Sequence, residues 1–84
     1  MDDYLALGFF DLQFKVEDGL IKDLQIYTDC LYPAMIETLS EELRQKHYSS
    51  VSIRNAMGVV RAKFADAISG LDELEAWLIK NIEI

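Results

Sequence analysis

The chain has 84 residues, of which 51% are apolar and 27% charged, with 15 acids against 8 bases and a formal net charge of -7. This mixture supports a small core and lies outside the low-hydrophobicity range of disordered chains, so a single folded domain is expected over residues 1–84. The negative charge repels phosphate backbones and anionic lipid alike, which argues against nucleic acid and membrane as partners.

No basic segment near Met1 leads into an apolar run of signal-peptide length, and the longest apolar stretches fall far short of a bilayer span, so a cytoplasmic location is expected. The one cysteine, Cys30, excludes an internal disulfide framework and supplies too few thiolates for a zinc or iron–sulfur site within one chain.

The opening segment Tyr4-Leu5-Ala6-Leu7-Gly8-Phe9-Phe10 is apolar and reads as an extra edge strand or as a strand belonging to a preceding segment. After it, Asp11-Leu12-Gln13-Phe14-Lys15-Val16-Glu17 alternates apolar and polar residues, the pattern of a strand with one buried face. Asp18-Gly19 is a turn signal, and Leu20 to Thr28 reads as the returning strand of a hairpin. Matching the apolar faces favours a three-residue loop, which sets Phe14 opposite Leu24 and Leu12 opposite Ile26; a two-residue loop would set Phe14 opposite Asp23.

The rest carries a helical period. Pro33 suits a first helical turn, and Ile36, Leu39 and Leu43 recur on one stripe through to about Lys46. Ser49, Ser50 and Ser52 offer capping hydroxyls ahead of a second stripe of Ile53, Met57, Val60, Phe64 and Ile68. Gly70 terminates or links, Asp72 and Glu73 suit a positive helix N-terminus, and Leu71, Leu74, Leu78 and Ile82 form a third stripe. The expected fold is α+β, a small antiparallel sheet covered on one face by about three helices.

Few residues suggest chemistry. His47, the single histidine and so the one imidazole that could serve a catalytic set, stands in a polar loop and reads as solvated, since a lone residue is a weak signal of catalysis. The four glycines are scattered, so no phosphate-binding loop is formed. Cys30 sits where backbone N–H groups could favour a thiolate, but Asp29 and Tyr32 beside it oppose activation, and burial without reactivity is the usual state of cysteine. Met57, Phe64 and Trp77 fall on helical stripes and read as core; the acids Glu41, Glu42, Asp72, Glu73 and Glu75 read as solvated helix faces without metal-loop spacing.

Taken together, Phe14-Lys15-Val16-Glu17-Asp18-Gly19-Leu20-Ile21 and Ile26-Tyr27-Thr28-Asp29-Cys30-Leu31-Tyr32-Pro33, continued by Ile36, Leu39, Leu43, Tyr48, Ile53 and Ala56, resemble the C-terminal domain of bacterial lipoate–protein ligases. The likeness spans roughly residues 9 to 80 and rests on the order and spacing of the elements. It implies a fold similar to iron–sulfur scaffold and sulfur-acceptor proteins of the SufE and NifU type. It also implies an accessory domain that assists lipoate activation to lipoyl-adenylate by closing on a catalytic domain, in cis or in trans. ATP, magnesium and lipoate would belong to that catalytic domain, and no catalytic residue of the family maps onto this chain. A contact surface is expected around Lys22, Tyr27, Asp29 and Tyr32, at the hairpin end and strand–helix junction, since tyrosine is enriched at interfaces. Two rivals stand beside this reading: a sulfur-acceptor or cluster-assembly partner using Cys30 as nucleophile, and an acidic interaction module for a basic protein.

Overall fold

The computed structural model describes residues 1–64 and 70–82. Three antiparallel strands, β1 (Asp2–Leu5), β2 (Gly8–Glu17) and β3 (Leu20–Thr28), form a sheet in chain order, followed by helices α1 (Pro33–Leu43), α2 (Ser50–Phe64) and α3 (Leu71–Ile82). The architecture is α+β. Of the second stripe, Ile68 lies outside the described residues.

Residues Tyr4 to Phe10 do not form one strand. Asp2–Leu5 folds back on Gly8–Asp11 through a turn at Ala6 and Leu7, with Tyr4 opposite Phe9 and Asp2 opposite Asp11. The sequence reading missed this turn because both its residues are apolar. Their role is tertiary: Leu7 packs toward Gly70 at the start of α3, and the Ala6 N–H donates to Glu73 Oε1 at 2.5 Å.

The β2–β3 hairpin has the expected register, with Phe14 opposite Leu24 and Leu12 opposite Ile26, but reaches it differently. The loop has two residues, Asp18 and Gly19, both at positive φ (54° and 77°), the conformation that matches the twist of a tight hairpin. Glu17 then pairs with Leu20 and Val16 with Ile21, and the register shifts between Lys15 and Val16, leaving Lys22 as the extra residue of a bulge. The bulge turns Ile21 onto the face of Leu24, so that both are buried (1% and 2% exposed) although three positions apart. An unbulged strand would hold one of them in solvent, forfeiting about 2 kcal/mol of burial.

The inward face of the sheet contributes Phe10, Leu12, Ile21 and Leu24 to the core, joined by Met35, Leu39 and Leu43 of α1, Ile53, Met57 and Val60 of α2, and Leu74, Trp77 and Leu78 of α3. In α1 the buried stripe starts at Met35, with Ile36 only partly covered. Phe64 likewise packs at the margin, whereas Met57 and Trp77 are core as expected. Helix α1 lies against β3, α2 against α1, and α3 against α2. Trp77 reaches the sheet at Phe10, ring centroids 6.3 Å apart.

Helix α1 ends at Leu43, before Lys46, because the next residues pair with the sheet. Gln45 takes a positive φ of 65°, its N–H donates to the Ile21 carbonyl (2.7 Å), the Ile21 N–H donates to the Lys46 carbonyl (2.8 Å), and the Tyr48 N–H donates to the Gly19 carbonyl (2.8 Å). This segment covers the first half of the β3 edge, which would otherwise present unpaired backbone groups. Arg44 closes the same corner, donating from Nη2 to the Leu24 carbonyl (3.2 Å) while Nη1 lies 3.2 Å from Asp23 Oδ1. Ser49 caps α2, its Oγ accepting the Ser52 N–H at 3.4 Å.

Candidate docking surface

The four residues expected at the contact surface fall into two separate regions. Lys22 is the bulge residue near the β2–β3 turn, half-buried. Tyr27, Asp29 and Tyr32 lie at the other end of β3, and five residues of strand at about 3.3 Å each hold Lys22 well away from them. The primary structure places these residues within eleven positions, but an extended strand separates its own ends.

Asp29 has a structural task. Its Oδ1 accepts the Phe9 N–H (2.8 Å) at the point where β2 begins. Beside it, Thr28 Oγ1 donates to the Phe9 carbonyl (2.6 Å) and accepts the Cys30 N–H (3.0 Å). Thr28, Asp29 and Cys30 thus form a polar clasp that ends the β2–β3 ladder and starts the crossing to α1. Cys30 is half-buried and packed against the core. Tyr32 precedes α1 and its carbonyl accepts the N–H groups of Met35 (3.1 Å) and Ile36 (3.2 Å), with Pro33 at the first helical turn.

Tyr27 is 55% exposed and stands on the sheet face that carries no helix, its hydroxyl donating to Gln25 Oε1 at 2.9 Å. The register brings other residues beside it that the sequence reading did not single out. Asp11 is the cross-strand partner of both Tyr27 and Asp2, and Phe9 is the partner of Tyr4. The Tyr4 and Phe9 rings lie 5.0 Å apart, tilted by 53°, and Tyr4 is 80% exposed. Period-two alternation could have pointed to Phe9, Asp11 and Tyr27 as one face, but Tyr4 joins them only through the turn at Ala6 and Leu7.

His47 is exposed and meets the sheet through its backbone, as an isolated bridge to Leu20. Among the described residues no group of three or more His, Cys, Asp or Glu side chains could hold a metal ion. A cleft of about 260 Å³ between α1 and α2 is lined by Glu42, Lys46, Ser52, Asn55, Ala56 and Val59, without imidazole or thiol. Among the described residues, a change in proton affinity falls on a structural group. Arg61 of α2 donates from Nη1 to Glu75 (2.8 Å) and from Nη2 to Asp72 (2.6 Å) of α3, and the hydrogen bond to Glu75, then that to Asp72, raises its pKa despite some desolvation. No described helix is long and apolar enough to cross a membrane.

Comparison with known proteins agrees with the resemblance. The family model for the bacterial lipoate protein ligase C-terminus matches residues 1–78. The chain is 61% identical over 84 residues to lipoate-protein ligase A of Bdellovibrio bacteriovorus, an alignment that covers all of this chain and 25% of that relative. The chain therefore spans about a quarter of the length of the curated relative it matches.

Proposed function

Because the chain belongs to the bacterial lipoate–protein ligase C-terminal family, we propose that it serves protein lipoylation as an accessory domain, packing on the ligase's catalytic region and assisting activation of lipoate to lipoyl-adenylate. The family match over residues 1–78 carries this reading. In it the catalytic region, in cis or in trans, binds ATP, magnesium and lipoate in the cytoplasm. This domain closes over that site as a body, excluding water and completing the site without supplying a reacting group. The tethers between its layers suit it to move as one piece: Arg61 joins α3 to α2, Arg44 joins the end of α1 to β3, and Glu73 joins α3 to the β1–β2 turn.

The test is formation of lipoyl-adenylate by the ligase's catalytic region with and without this chain added in trans. Stimulation that saturates with added chain is the expected result. A catalytic region that binds this chain yet activates lipoate equally well without it would remove the role in activation.

A further inference from the structure

The helix-free face of the sheet has a composition that solvent exposure alone does not explain. At its β1 end the cross-strand neighbours are Asp2, Asp11 and Tyr27 in one row and Tyr4 and Phe9 in the next. Two of the three tyrosine and phenylalanine side chains are more than half exposed. Asp2 and Asp11 stand directly opposite each other, a like-charge pairing that destabilises a sheet, and neither makes an ion pair among the described residues. Elsewhere the same sheet is closed: residues 45–48 cover the start of the β3 edge, and the carboxylates of Asp3 and Glu73 accept the N–H groups of Tyr4 and Ala6 at the β1 edge.

We infer that this face, centred on Tyr4, Phe9, Asp11 and Tyr27, is where the domain seats on the remainder of the ligase, and that an arginine or lysine of that remainder enters between the aromatic rings and the Asp2–Asp11 pair. The inference rests on the reading that the domain packs on the catalytic region, and it adds the surface and the chemistry of its partner. Two observations choose the occupant. The chain accounts for only 25% of its relative's length, so a body about three times larger is present in that protein to cover the face. The charge is complementary in kind: an unneutralised carboxylate pair flanked by aromatic rings accepts a guanidinium through charge-assisted hydrogen bonds and cation–π contact together. Tyrosine and arginine are also the residues that most often anchor an interface. The surface differs from one built on Lys22, Asp29 and Tyr32. Asp29 is committed to the Phe9 N–H, and Lys22 lies at the far end of the strand.

Tyrosine iodination read by mass spectrometry tests the inference, comparing this chain alone with an intact ligase that carries it as its C-terminal domain. Tyr4 and Tyr27 should react at least about fivefold more slowly in the intact ligase, as expected of side chains covered by an interface. Tyr32, off this face, serves as the reference. Protection of Tyr32 with Tyr4 and Tyr27 unchanged would overturn the face while leaving the packing reading intact. No protection of any tyrosine would remove both. A second variant separates docking from folding: Asp11→Lys turns the like-charge pair into an opposite-charge one, so it should raise the melting temperature of this chain alone while abolishing the protection of Tyr4 and Tyr27. Retained protection in Asp11→Lys would sink the cationic partner.

Discussion

Gly8 and Asp29 interlock at the point where the second strand starts. Gly8 has a φ of 129°, and the Asp29 carboxylate that accepts the Phe9 N–H occupies the space a β-carbon on Gly8 would need. The absence of a side chain at one residue is thus what allows the other to bond the backbone.

Substitution should reveal this dependence. Gly8→Ala is expected to cost about 2–3 kcal/mol, from an unfavourable φ together with displacement of Asp29. Asp29→Ala alone should cost about 1 kcal/mol, the loss of one acceptor for a strand-end N–H. In the double variant the clash is gone, so its cost should be less than the sum of the two single-variant costs. Urea unfolding of the four proteins measures the coupling, and strict additivity would show that the two residues act independently.

The bulge at Lys22 predicts the outcome of shortening the strand. Deleting Lys22 would bring Ile21 and Leu24 to a spacing of two, so both stay on the buried face and every pairing from Glu17 with Leu20 to Phe10 with Thr28 can be kept without a bulge. The deletion should therefore leave a cooperative thermal transition in place, and loss of that transition would show that Lys22 does more than fill the bulge. Lys22→Ala keeps the residue count and should melt within a few degrees of the parent.

Gly58 offers the opposite case to Gly8. It sits inside α2 with open space where a β-carbon would go, so Gly58→Ala should stabilise the domain by about 1 kcal/mol through helix propensity. A raised denaturation midpoint with unchanged lipoate activation in the intact ligase is expected.

Arg61 ties two helices through Glu75 and Asp72, with its side chain 35% exposed and Asp72 almost fully so. Solvent screening limits such a network to about 1 kcal/mol, so Arg61→Gln should lower stability by no more than that. The raised pKa of Arg61 means that its contribution is complete below the unfolded value and is lost only as pH rises through the folded one, beyond the ordinary arginine range. From pH 6 to 9 the difference in melting temperature between parent and Arg61→Gln should therefore stay constant. A difference that shrinks across this window would assign the effect to another group.

Cys30 separates the accessory-domain reading from the sulfur-acceptor reading. Half-buried against the core, it is expected to be dispensable: Cys30→Ser should leave stimulation of lipoyl-adenylate formation within about twofold of the parent. Loss of persulfide acceptance in that variant, with the parent accepting sulfur from a donor, would favour the rival instead.

The order of elements was legible in the primary structure because each carries a local period. Alternation in residues 11–17 marked a half-buried strand, the stripes beginning at Ile53 and Leu71 marked helices, and Ser49 and Gly70 marked their approaches. The pairing of Phe14 with Leu24 followed from face matching, since a slip by one residue inverts a strand. Tertiary structure alone decided the rest. The turn at Ala6 and Leu7 contains no turn-forming residue and is held by Gly70 and Glu73 from the far end of the chain. The bulge at Lys22 satisfies two buried residues at an odd spacing, and the end of α1 is set by Ile21 drawing Gln45 and Lys46 into the sheet. The aromatic and acidic face likewise exists only after folding. Its residues come from three strands, and a period within one strand says which way a side chain points but not which neighbour will stand beside it.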